Sequence, residues 1–150
     1  MTLELIINND IKAAMIARNK RKLEALRAIK SALLMIKTGK DISFAEVPEE
    51  LELKTLQKLI KQRKESARIY KEQNRDEAYE EEMYQAGIIE AYLPEQMNDD
   101  DIRKVIEEII AKTGASSMKD MGKVMGMSAK QLAGKADNSL VSKMVKELLG

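Results

Sequence analysis

The sequence contains no cysteine, no histidine and no tryptophan, and only one phenylalanine, four tyrosines and two prolines. Each absence closes a class of chemistry. Without cysteine there is no disulfide, no thiolate metal site and no cysteine nucleophile. Without histidine there is no imidazole base, so carboxylates, lysines and tyrosines are the whole acid–base inventory. Aromatics make up only 3% of residues, which leaves little with which to stack on unpaired bases. Scarce proline, seven glycines and short β-branched runs point to an all-α fold. No apolar run reaches the length of a membrane span and no secretory leader pattern is seen. The expected location is the cytoplasm, with no membrane partner.

What is present suits one domain, or one plus a small second, in 150 residues. Leu, Ile, Val, Ala and ten Met have to fill the core, which then packs adaptably. The net charge of +1 hides an uneven distribution: residues 1–75 carry 17 basic and 10 acidic side chains, residues 76–150 carry 9 and 15, and within the latter 112–150 carries 7 and 3. Only local patches can therefore attract a polyanion.

Helical periodicity predicts a first helix over 3–18 and a second over about 20–38, capped by Asn19 and stopped at Gly39. The second carries the stripe Leu23, Leu26, Ile29, Leu33, Ile36. Eight basic residues and one acid lie between Lys12 and Lys37; they read as a solvated polar face, the sharper alternative being an accessory phosphate surface. Residues 40–45 read as a loop. Ser43 and Glu46 are spaced as a capping box, while Pro48 suits a later start for helix three. That helix runs to about Gln73 with Leu53, Leu56, Ile60, Arg63, Ala67 and Tyr70 in its stripe. Arg63 is expected at the stripe edge with its stem packed, or paired with a carboxylate of the next helix.

Asn74 is the expected cap of helix four, with Tyr79, Met83, Ala86, Ile89 and Leu93 facing inward. Adjacent carboxylates at Glu80, Glu81 and Glu82 fan around a helix and cannot converge on one ion, so they read as a solvated face. Leu93-Pro94 ends the helix, and 94–98 is the expected linker between an N-terminal domain of about four helices (1–95) and a C-terminal domain of three to four helices (96–150). Asn98 caps helix five, whose inner face is Ile102, Val105, Ile106, Ile109 and Ile110; Gly114 ends it. Asp99, Asp100 and Asp101 suit the first turn of that helix and lack the spacing of a calcium loop. No metal and no cofactor is expected.

Ser116 or Ser117 caps the next helix, with Asp120 in its first turn. A Ser-Ser-Lys amidase built from these serines needs an activated nucleophile and an oxyanion site, and capping is the stronger reading. Met118, Met121, Val124 and Met125 form one face, flanked by Lys119 and Lys123. Gly122 and Gly126, four apart, lie on one side and permit close approach, either by a neighbouring helix of the same unit or by a partner. Lys130 precedes a break at Ala133-Gly134, followed by Lys135. Asp137 caps the last helix, in which Leu140, Val141, Met144, Val145 and Leu148 face inward while Lys143 and Lys146 share an outer face.

The strings LQKLIKQRKES (56–66), EAYLPEQ (90–96), TGASS (113–117), DMGKVMG (120–126) and GKAD (134–137) together resemble the GatB/YqeY family, as a free-standing YqeY-like chain. The C-terminal part resembles the tRNA-binding tail of the GatB subunit of the glutamine-dependent aspartyl/glutamyl-tRNA amidotransferase. Where the family commonly has an ALMPK-like segment, this chain has MSAKQLA (127–133), without the proline, and Lys130 stands at the basic position. The resemblance implies an all-helical protein with two domains and an association with carbon–nitrogen ligase activity using glutamine as amide donor. No ATP-phosphate loop, glutaminase nucleophile or metal site accompanies it.

Two functions are therefore expected to compete. In the first, the C-terminal domain binds tRNA, with Lys119, Lys123, Lys130, Lys135, Lys143 and Lys146 meeting phosphate and the backbone near Gly122, Gly126 and Gly134 approaching the sugar-phosphate chain. In the second, the Met-rich helix 118–127 docks a protein partner of the translation apparatus.

Overall fold

A computed structural model describes residues 2–39 and 47–150. Among the described residues the protein is all-α, with seven α-helices, one 3-10 turn and no strand. None of these helices is long and apolar enough to cross a membrane. The chain divides into two compact units, Met1–Leu93 and Pro94–Gly150.

The first unit holds α1 (Leu3–Ile16), α2 (Lys20–Lys37), α3 (Glu49–Glu72) and α4 (Asp76–Glu90). Thr2 and Asn19 open α1 and α2, their side-chain oxygens accepting from the Leu5 and Lys22 N–H groups at 3.3 and 3.2 Å. The Ser43–Glu46 pair falls outside the described residues; α3 is described from Glu49, behind Pro48. α1 packs on α2, and α4 is held between α2 and α3. Ile7, Leu26, Ile29, Leu56 and Ile89 lie at the centre of the core they share.

Two helix ends differ from the sequence-based expectation. Arg18 and Asn74 both adopt left-handed backbone conformations, φ 56° and 57°. At the end of α3 the Arg75 N–H donates to the Tyr70 carbonyl at 2.9 Å and the Asn74 N–H to that of Lys71 at 3.1 Å. Asn74 therefore closes α3 and does not cap α4, whose preceding residue is Arg75 without a side-chain cap bond. Asparagine tolerates the left-handed region better than most residues, and that preference wins over N-capping here. The end of α1 repeats the pattern, with the Asn19 N–H donating to Ala14 and that of Arg18 to Met15, but with arginine at the position that favours glycine.

Arg63 sits half-buried between α3 and α4. Its partner is a neutral amide and not a carboxylate: Nε donates to Gln85 Oε1 at 3.1 Å, and a second guanidinium nitrogen to the Leu59 carbonyl at 3.2 Å. Gln85 is thereby drawn into the interior, 9% exposed, beside Ala86 and Ile89, while Met83 is left 37% exposed. The apolar pattern of α4 predicts Met83 inward; the polar Gln85 is buried in its stead. At the end of α4 the Tyr92 hydroxyl donates to the Asp10 carboxylate. Burial, reinforced by that carboxylate, holds its phenol above the usual tyrosine range.

The second unit holds α5 (Asp99–Thr113), a 3-10 turn at Met118–Asp120, α6 (Met121–Gln131) and α7 (Asn138–Leu149). The three helices pack pairwise around Ile102, Ile106, Val124, Leu132, Val141 and Val145. Asn98 Oδ1 caps α5 at 2.9 Å from the Asp101 N–H, and Gly114 ends that helix at φ 67°. Within the 127–133 segment, Ser128 is fully buried and its Oγ has no hydrogen-bond partner. An orphaned buried hydroxyl costs about 1–3 kcal/mol, so Ser128→Ala is expected to stabilise the protein by about 1 kcal/mol. Chemical denaturation checks this: an unchanged or lowered midpoint contradicts it.

Candidate nucleic-acid interface

The Ser117 side chain accepts from the Lys119 N–H at 3.4 Å, and the Asp120 carboxylate reaches back to the Ser116 N–H at 3.1 Å. The first satisfies a donor that the start of a helix leaves orphaned, and the second ties the residue before the cap back onto the turn. The Lys119 bond engages Ser117 as a cap. From there α6 turns Val124 and Ser128 into the core, with Met121 and Met125 packed at its edge. The opposite side is a continuous exposed strip, Lys119, Gly122, Lys123, Gly126, Met127 and Lys130, at helical spacing. Along it, Lys123 and Lys130 stand about 10 Å apart on the helix axis.

A Cβ built on Gly122 or on Gly126 meets no heavy atom within 4 Å. The two glycines therefore do not serve close helix packing inside this unit, which is one of the two readings open from sequence. Glycine inside a helix costs roughly 0.5–1 kcal/mol relative to alanine, and nothing in this unit compensates that cost. What the glycines leave is bare helix backbone between lysines.

Gly134 and Lys135 occupy the turn between α6 and α7. Gly134 is buried and left-handed at φ 73°. Its carbonyl accepts from Gln96 Nε2 at 2.6 Å, and the Lys135 carbonyl accepts from the Met97 N–H at 3.0 Å. The stretch expected to link the domains is thus bonded, at 96–97, onto the GKAD turn, so two of the strings that carry the family resemblance meet in space. Gly134 is consequently held in the interior of the turn and away from the exposed strip. Lys135 is exposed, as are Lys143 and Lys146 on the outer side of α7. The signal for the 96–134 bond, a glutamine after Leu-Pro-Glu, is not specific enough to be read from sequence.

Ion pairs are more numerous in the first unit, although Lys12, Arg18, Lys20, Lys22, Arg27 and Lys30 there have none among the described residues. In the first, Arg21 pairs with Glu81 at 2.9 Å while lying over the Tyr84 ring, and Lys37 pairs with Glu4 at 3.1 Å. Lys54, Lys64, Arg68 and Lys71 also meet carboxylates. The basic excess of α2 is thus partly answered by the acidic α4. In the second unit Arg103 takes Glu147 at 3.3 Å, removing the one acid on the outer side of α7. Among the described residues, Lys119, Lys123, Lys130, Lys135, Lys143 and Lys146 have no ion pair. No group of three or more acidic side chains that could hold a metal ion is found among the described residues.

Comparison with known proteins places these features. The family model described as Yqey-like protein matches residues 5–149. The chain is 34% identical over 127 residues to altered inheritance of mitochondria protein 41, mitochondrial, of Meyerozyma guilliermondii, covering 81% of this chain and 64% of that protein. It is 38% identical over 84 residues to the protein of the same description in Clavispora lusitaniae, covering 56% of this chain and 47% of that one. Over 55 residues it is 42% identical to the E-type subunit of the glutamyl-tRNA(Gln) amidotransferase of Methanobrevibacter smithii, a match to 34% of this chain and 9% of that protein. The matched stretch belongs to a tRNA-amidotransferase component, in line with the sequence resemblance to that enzyme. With the family model matched over nearly its whole length, the chain belongs to the YqeY-like family.

Proposed function

We propose that this protein binds RNA, with tRNA as its class of partner, and that it serves an amidotransferase-related role without performing amide transfer itself. The observation that carries the reading is the exposed face of α6, where Gly122 and Gly126 stand open between lysines that have no acidic partner. Unpaired lysines neutralise phosphates and release counterions, while bare glycine backbone lets a sugar-phosphate chain come close. Lys135, Lys143 and Lys146 extend the cationic surface. The lack of aromatic residues in the second unit favours folded RNA read by shape over unpaired bases read by stacking. The similarity to an amidotransferase component supports a tRNA-linked setting. The names of both fungal relatives carry the word mitochondrial.

The adaptor reading keeps one specific support, since Met118 and Met127 are 47% and 40% exposed. Met121 and Met125, by contrast, belong to the core side, so the methionine surface is smaller than the sequence implies. RNA crosslinked to the protein in cells and then sequenced separates the two. Enrichment in tRNA is expected; a partner that survives nuclease treatment, with no RNA enrichment, overturns the RNA reading in favour of the adaptor. With glutamine, ATP and a mischarged tRNA supplied, the isolated protein is expected to give no transamidation above background. Turnover that disappears on replacing Ser116 or Ser117 contradicts that part.

A further inference from the structure

We propose that the turn between α1 and α2 is a tip that docks on an anionic lipid bilayer. Three observations meet there. Ile16, the last residue of α1, is 85% exposed and Met15 is 55% exposed, so the tip presents two large apolar side chains to solvent. Lys12, Arg18 and Lys20 flank them in the sequence, all exposed and without an ion pair among the described residues. In sequence no acidic residue occurs between Asp10 and Glu24, and the acid that α4 brings against this end of α2, Glu81, is taken by Arg21 at 2.9 Å. Lys12 and Ile16, four apart, share one face of α1, so cation and apolar side chain are neighbours. Finally, Arg18 holds a left-handed conformation, φ 56°, that glycine adopts without penalty. The turn therefore carries a cation at a position where the backbone alone favours the smallest residue.

Charge complementarity selects an anionic partner, and the apolar pair selects among anionic partners. RNA phosphates answer the three cations but give Ile16 and Met15 no apolar surroundings. An anionic bilayer answers both: the cations meet headgroup phosphates and the two apolar side chains enter the interfacial layer. The contact is a surface one and requires no spanning helix.

Co-sedimentation of the full chain with vesicles tests this. Binding is expected to vesicles of phosphatidylglycerol and phosphatidylcholine in equal parts, and not to phosphatidylcholine alone. Lys20→Ala is expected to weaken it about fivefold and to flatten its salt dependence. Ile16→Ser is expected to weaken it about tenfold while leaving the salt dependence in place. Both side chains are exposed, and circular dichroism confirms that each variant is folded. Absence of binding to the mixed vesicles overturns the proposal, as does binding that neither substitution changes. If both substitutions lower tRNA affinity and leave vesicle binding untouched, the tip is an RNA contact and the bilayer proposal fails.

Discussion

Replacing Gly126 by leucine is expected to make the protein more stable and its RNA binding weaker. The two effects come from one fact, that a Cβ at this position meets no heavy atom within 4 Å. Gly126 lies in the middle of α6, where leucine is favoured over glycine by about 0.5–1 kcal/mol. With open space around it, that preference is realised in full. If RNA approaches the bare backbone there, the same side chain holds it off, and affinity falls about tenfold, on the order of 1.4 kcal/mol. Since no charge is removed, the salt dependence of the remaining binding stays as it was. Gly122→Leu behaves alike in binding, with a smaller stability gain near the start of the helix. Thermal melting and a filter-binding titration on the same preparations check the pair. A variant that is less stable and binds less well has simply been damaged, and one that is more stable and binds unchanged removes Gly126 from the interface.

The second large effect is expected from Ile106→Ala. Ile106 is fully buried among the residues of the second unit's core. Truncating an isoleucine at such a site costs about 2–5 kcal/mol, from lost burial and the cavity left behind. A unit the size of Pro94–Gly150 draws only about 3–5 kcal/mol from a single core. The substitution is therefore expected to unfold α5, α6 and α7 together, with RNA binding lost and the helices of the first unit retained. Circular dichroism should show a partial loss of helix, and hydrogen exchange should place that loss after residue 93. A small uniform loss of protection across the chain contradicts the division into separately stabilised units.

Much of this architecture can be read from the residues. The stripe of α2, the caps Asn19, Asn98 and Asp137, and the inner face of α5 are local signals: a spacing of three and four, or a short polar side chain before an apolar run. The misassignments involve choices that local pattern does not settle. Asn74 suits the end of one helix and the start of the next, and the backbone bonds from Asn74 and Arg75 decide for the former. Gln85 is polar and is buried because Arg63 across the helix pair gives it a hydrogen bond; no periodicity in α4 announces that. The attachment of Gln96 and Met97 to the Gly134–Lys135 turn joins residues 38 apart in one bond, beyond the reach of spacing rules. At the candidate site, the pattern of glycines and lysines is legible. That the glycines face open space, and that the lysines lack acidic partners, depends on which side α6 buries and on Glu147 being taken by Arg103.

The central claim is that unpaired lysines of the second unit hold RNA phosphate, and the measurement that bears on it most directly is the salt dependence of tRNA affinity. For the full chain, log affinity should fall steeply and linearly with log salt, each neutralised phosphate adding roughly 0.7–0.9 to the slope. Lys123→Ala and Lys130→Ala should each reduce the slope by about one such increment and weaken binding to different tRNAs about equally. Lys37→Ala, which removes a residue already paired with Glu4, should leave the slope unchanged. An affinity that is flat in salt, or slopes that respond to Lys22, Arg27 and Lys37 and not to Lys123 and Lys130, would contradict the claim.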